Sequence, residues 1–168
     1  MLLDREAVIG FLPHRPPFLF IDNVKEIIPC DTVKNDPETL DTRKLVGSKV
    51  IAEFTVREDL EILKGHFPGN PILPGVVQIE MMAQCSAFTP LALKKLDLAK
   101  TKVETLLISC DKSKFRKPIY PGMTLEIHAT MAKCRGTLAS YECEVFCEGS
   151  KVSEVCFMAK LDIIEKES

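Results

Sequence analysis

Residues 65–84 read GHFPGNPILPGVVQIEMMAQ, and the character of the chain changes in the middle of this stretch. Its first half alternates glycine and proline around a histidine, His66, and reads as a tight loop. Pro74-Gly75 then opens a helix, proline and glycine both suiting a helix entry. The apolar pattern predicts that helix over residues 75–96. From 76 to 87 it is apolar nearly all round, with Glu80 and Gln84 one turn apart on the same face. A helix of that kind is buried, and the simplest cover for it is a sheet.

Working outward, the rest of the chain supplies that sheet. Residues 49–56 alternate, with Val50, Ala52, Phe54 and Val56 facing one way and Ile51, Glu53 and Thr55 the other. After the helix come strand candidates at 105–109, 123–134, 137–148 and 151–163. Arg135-Gly136 and Glu148-Gly149-Ser150 are the turns between the last three, as in an antiparallel meander. Residues 4–11 read as a short helix, with Asp4 as its N-cap and Pro13 forcing an exit. Residues 18–28 start with the dense apolar run FLFI and continue as a strand, whereas 29–47 are polar and aperiodic and read as a long exposed loop or insertion. The expectation is one α+β domain over 1–168, a curved antiparallel sheet wrapped around one central helix.

Composition narrows the function classes. Twenty-two basic and 24 acidic residues leave a net charge of −2, which offers no reason to expect nucleic acid or an anionic membrane as partner. No apolar run reaches the length of a membrane span. The N-terminus lacks a basic region followed by an apolar run, so no signal peptide is expected and the cytoplasm is the expected location. Seven cysteines, without a CxxC pair, read as reduced small apolar residues; no metal site is expected.

Three residues carry chemistry, each with a plainer alternative. His66, held by a stiff loop, is a natural base near neutral pH, or a histidine that satisfies loop carbonyls. Glu80, among Ile79, Met81, Met82 and Ala83, is expected to be buried and unpaired, with a raised pKa that suits a proton donor; alternatively, it pairs with a buried Arg or Lys, or lies on an exposed helix face. Gly75 places unpaired first-turn N–H groups where a carbonyl oxygen could gain negative charge, or simply begins a helix. His14 and His128 have no partner at a suggestive spacing and read as a turn brace and a surface residue. Lys112, Lys114 and Arg116 alternate, with Lys117 next, so the first three share a face of an extended segment. That face is either solvated or a docking surface for an acidic partner.

Three segments taken together, LPHRPPFLFIDNV, GHFPGNPILPGVVQIEMMAQ and DKSKFRKPIYPGM, resemble in order and spacing the (3R)-3-hydroxyacyl-acyl carrier protein dehydratases of FabZ type. The resemblance covers about 5–28 and 49–163. It implies the hotdog fold, and dimers with a continuous sheet, often three to a hexamer. It places the family's catalytic histidine on His66 and its glutamate on Glu80, facing each other from different subunits. It also puts the backbone contact to the thioester carbonyl on Gly75, with Phe67, Pro74 and Val76 as further substrate-binding positions. The isomerising FabA type is similar but usually carries aspartate where this chain has Glu80. Lys112, Lys114, Arg116 and Lys117 become the docking residues for acyl carrier protein. The chemistry needs no metal or redox cofactor, because the substrate arrives on the carrier's phosphopantetheine.

The resemblance is not uniform. Residues 29–47 exceed the usual connection, Asp59-Leu60-Glu61-Ile62-Leu63 replaces a common Asn-Glu-x-Phe-Phe run, and the aromatic residue often found near Leu106 or Leu107 is absent. Pro16 stands where tyrosine is common. Two other functions share the fold. One is an acyl thioesterase, which tends to lack GHFPG before the helix. The other is a non-catalytic acyl-thioester sensor, which usually carries a DNA-binding segment that is not expected ahead of Phe11.

Overall fold

The structure, a computed structural model, describes residues 1–97 and 99–165. Six antiparallel strands form one sheet in the order β1-β2-β4-β5-β6-β3. They are β1 (Asn23–Ile28), β2 (Lys49–Thr55), β3 (Thr101–Phe115), β4 (Thr124–Arg135), β5 (Leu138–Cys147) and β6 (Ser150–Glu165). The helices are α1 (Arg5–Phe11), α2 (Asp31–Asn35) and α3 (Gly75–Ser86). The meander β4-β5-β6 forms as its turns predict. Glu148 and Gly149 both have positive φ, 49° and 73°, the backbone of a two-residue hairpin whose twist matches its strands.

α3 is the core's axis. Val77, Met81, Met82 and Cys85 are buried against the inward faces of the sheet. Those faces are set by strict alternation: Val50, Ala52 and Phe54 on β2, Leu125, Ile127, Ala129 and Met131 on β4, and Tyr141, Cys143 and Val145 on β5. This is the expected α+β hotdog arrangement.

Several boundaries differ from the sequence reading. The central helix ends at Ser86 rather than 96. Ser86 Oγ donates to the Ala83 carbonyl and Thr89 Oγ1 to the Ser86 carbonyl, and Pro90, without an N–H, closes a 3-10 turn over Thr89–Ala92. Residues 18–21 bury Leu19, Phe20 and Ile21 without joining the strand, because the Phe20 N–H is taken by Gln84 Oε1 at 2.8 Å. Residues 29–47 are not a bare exposed loop. They form α2 and a 3-10 turn at Thr42–Leu45, pinned to the core by Val33 and Leu45. α1 is capped as expected, Asp4 Oδ1 accepting from the Ala7 N–H at 2.9 Å.

β3 is an edge strand of 15 residues, far longer than the expected 105–109. Residues 106–115 are exposed on both faces, and Leu106, Leu107, Ile108 and Phe115 are large apolar groups among them. A long apolar edge is an open pairing surface unless something covers it.

Candidate active site

Two clefts flank α3. The first, of about 250 Å³, is lined by His66, Gly75 and Gln78, by the apolar Ile72, Leu73, Phe115 and Pro118, and by Arg116 and Lys117. The loop that carries His66 closes on itself. The Ile72 N–H donates to the His66 carbonyl at 3.1 Å and the Asn70 N–H to the Phe67 carbonyl at 2.9 Å. His66 Nδ1 lies 2.8 Å from the Ile72 carbonyl. A carbonyl can only accept, so Nδ1 carries the proton, and in the neutral ring Nε2 holds the lone pair. Gly75 begins α3 beside it, and the Phe115 ring lies so close that a Cβ on Gly75 would stand 2.9 Å from Cζ.

The second cleft, of about 80 Å³, lies further along α3 and is lined by Glu80, His14, Ala83, Gln84, Thr105 and Leu107, among others. Glu80 Oε1 is 3.2 Å from His14 Nε2 and accepts from Gln84 Nε2 at 3.0 Å. Gln84 also donates to the Phe18 carbonyl at 3.0 Å, so one buried amide ties the residue 18–20 segment to the helix. Arg15 Nη1 holds the His14 turn through the Leu12 and His14 carbonyls, at 2.8 and 2.6 Å.

These contacts reverse one expectation. Burial pushes the Glu80 carboxyl up, but the His14 and Gln84 hydrogen bonds and the His14 charge together outweigh it, and the carboxyl is held below its usual value rather than above it. The partner is neither lysine nor arginine but His14, a residue for which no partner was expected. No local spacing reveals it, since 66 positions separate the two. His128, expected at the surface without a partner, is instead part-buried and paired, with Nε2 2.7 Å from Glu126 Oε1.

Not all the expected site residues meet. His66 and Gly75 share a cleft; Glu80 lies in the other. Pro74 is buried as the N-cap of α3, while Phe67 and Val76 are exposed, Val76 at 74%. The basic run is not one stripe. Lys112 adopts a left-handed φ of 51° within a bulge between Asp111 and Lys114. Lys114 Nζ and Arg116 Nη2 both reach Glu154 Oε1, at 3.5 and 2.7 Å, so part of their charge is already matched. Lys112 and Lys114 border a cavity on the polar face of the sheet, whereas Arg116 and Lys117 border the His66 cleft. Gln78 and Phe115 lie in the motif-bearing segments, but no local spacing sets either apart from its neighbours; only the fold brings them to the His66 cleft.

Comparison with known proteins gives the chain's lineage and fold. Residues 42–155 match the family model described as ApeI-like, ApeI dehydratase. A 3-hydroxyacyl-[acyl-carrier-protein] dehydratase FabZ of an Anaeromyxobacter species is 34% identical over 168 residues, 99% of this chain and 94% of that protein. The protein of the same name from Rickettsia bellii is 35% identical over 161 residues, 96% and 97% of the two chains. Among solved structures, the ApeI:P dehydratase heterocomplex of Xenorhabdus doucetiae has a TM-score of 0.64 at 20% identity, covering 92% of this chain and 90% of that one. A thioesterase superfamily member of Thermus thermophilus has a TM-score of 0.53 at 15% identity, covering 70% and 82%. The structural likenesses speak for the fold and the sequence relatives for the lineage: this chain belongs to the FabZ-type family of hotdog dehydratases.

Proposed function

We propose that the protein dehydrates (3R)-3-hydroxyacyl thioesters of acyl carrier protein to trans-2-enoyl thioesters in fatty acid biosynthesis. The observation that carries this reading is His66, its Nδ1–H spent on the Ile72 carbonyl and its Nε2 free, in one cleft with the start of α3. Nε2 removes a proton from the carbon beside the thioester carbonyl. The carbonyl oxygen, gaining charge, is stabilised by the Gly75 N–H at the positive end of the helix. Glu80, whose depressed pKa makes its protonated form scarce near neutral pH but a strong acid, gives a proton to the departing hydroxyl, which leaves as water, and the proton taken by His66 then returns to the carboxylate. Every bond change is a proton or hydroxide transfer, so the step is written without metal or redox cofactor.

Within one chain, base and acid line different clefts, which favours a dimer in which one protomer's His66 works with its partner's Glu80. The exposed apolar edge of β3 supports such pairing through a continuous sheet. Arg116 and Lys117, at the mouth of the His66 cleft, suit the acidic carrier better than Lys112, which lies away from it.

The test is ultraviolet absorbance of the conjugated thioester with 3-hydroxyacyl-acyl carrier protein, comparing wild type with Glu80→Gln. Signal from wild type and none from the variant supports dehydration with Glu80 as its acid. A folded wild type that forms no enoyl thioester defeats the reading, and release of free thiol would redirect it to a thioesterase.

A further inference from the structure

Gln78 enters α3 three residues after Gly75, so its side chain leans back over the first turn of the helix. Its Nε2 donates to the Leu73 carbonyl at 3.1 Å, and that bond orients the amide. A flipped amide would bring two acceptors together, so the oxygen is the end left over. Gln78 is only 3% exposed, and its Oε1 is sealed from solvent with no hydrogen-bond partner among the described residues. The residue lines the same cleft as His66 and Gly75. A buried acceptor without a donor is destabilising, and a ligand that brings one removes the penalty.

In the same cleft, the first-turn N–H of Gly75 has no intrahelical acceptor. The cleft is therefore lined by one residue with an unspent donor and, three positions on along the helix, one with an unspent acceptor, with the Phe115 ring packed over Gly75. The complementary ligand carries an acceptor and a donor at short spacing. A 3-hydroxyacyl thioester does, because its hydroxyl lies two carbons from its carbonyl. A plain acyl thioester offers the carbonyl alone and would leave Oε1 buried and unpaired.

We propose that Gln78 Oε1 accepts the hydrogen bond of the substrate's 3-hydroxyl while the thioester carbonyl rests on the first-turn N–H of Gly75, so that Gln78 selects hydroxyacyl over acyl thioesters. The inference rests on the dehydratase reading for the identity of the ligand, but its test reads binding and not turnover. Calorimetry would compare (3R)-3-hydroxybutyryl-pantetheine with butyryl-pantetheine on Glu80→Gln protein, where the hydroxy ligand is not consumed. The hydroxy ligand is expected to bind about tenfold more tightly, the scale of one well-made hydrogen bond. Adding Gln78→Met should remove that preference while leaving butyryl-pantetheine within about twofold. Gln78→Asn, which withdraws the oxygen by one methylene, gives the same readout if the methionine variant does not fold.

Equal affinity for the two ligands in the protein that retains Gln78 overturns the proposal without any substitution at that position. So does an equal loss for both ligands on substitution, which is the mark of a packing role. The absorbance assay on wild type is separate. A binding preference without enoyl formation upholds the Gln78 contact and sinks the dehydratase reading, while enoyl formation without a binding preference does the reverse.

Discussion

The two clefts on either side of α3 are built in opposite ways. The His66 cleft is mostly local: the loop that holds the base closes through bonds spanning six residues or fewer, and the helix start follows directly. The Glu80 cleft is assembled at long range, by His14 from a turn 66 positions away and by the residue 18–20 backbone held through Gln84. A locally built group can be understood from its neighbours in sequence. A group built at long range takes its electrostatics from whatever the fold delivers, and for Glu80 the fold delivered a histidine.

The strongest way to break this pairing is to remove one reacting group from either cleft. His66→Ala and Glu80→Gln should each lower turnover by at least about a hundredfold with the fold intact, as measured by absorbance and circular dichroism. Near-normal turnover in either variant would take that residue out of the chemistry.

Gly75→Ala probes the local cleft. The new Cβ would stand 2.9 Å from Phe115 Cζ and force the ring to move. Alanine's better helix propensity, up to about 1 kcal/mol, offsets part of that cost. The melting temperature should therefore shift little, while kcat/KM falls about tenfold or more as the carbonyl loses its seat. Phe115→Ala in the same chain should restore part of the activity; no recovery would mean that the ring is not what the methyl group displaces.

His14→Ala probes the long-range cleft, and its sign can be worked out. Burial raises the Glu80 pKa, and the His14 contact, the larger of the two hydrogen bonds that oppose it, acts with Gln84 to bring it below the usual value. Without His14 the pKa rises, the carboxyl stays protonated to higher pH, and the alkaline limb of the kcat profile moves upward. Stability follows the same linkage. In the wild type a depressed carboxyl pKa contributes stability above the unfolded value of about 4.3, lost as pH falls through the folded value. His14→Ala should weaken that acid dependence in a melting series between about pH 3 and pH 6. An unmoved limb would show that His14 does not govern Glu80.

The smallest effect concerns the basic run, in which Arg116 borders the His66 cleft and Lys114 the cavity on the polar face of the sheet. Charge reversal at Lys114 and Arg116 should raise KM several-fold for the carrier-bound substrate and hardly at all for a short pantetheine analogue, with the gap closing at high salt. Both side chains already face Glu154, which keeps the expected effect modest. Equal effects on both substrates would remove docking from their role.

The parts of this protein legible in its sequence are those dictated by short-range patterns. Alternation in residues 49–56 placed Val50, Ala52 and Phe54 in the core, and the glycine turns placed the meander. The apolar belt around Glu80 placed the central helix, and glycine and proline around His66 placed the base on a stiff loop. Where a short-range pattern was absent or misleading, the reading slipped. The apolar run to residue 96 hid the stop at Ser86, and the polar run at 29–47 hid two core anchors, Val33 and Leu45.

What the sequence determined by itself, then, is the fold class, the stiff loop around His66 and the helix start, because backbone conformation and amphipathic period are properties of neighbouring residues. What only the tertiary structure decided is the state of the acid and the division of the site: His14 and Gln84 pull the Glu80 carboxyl below the value that burial alone would set, and α3 leaves His66 and Glu80 in different clefts. Charge interactions depend on distance in space, and a distance of 66 residues along the chain carries no information about 3.2 Å across it.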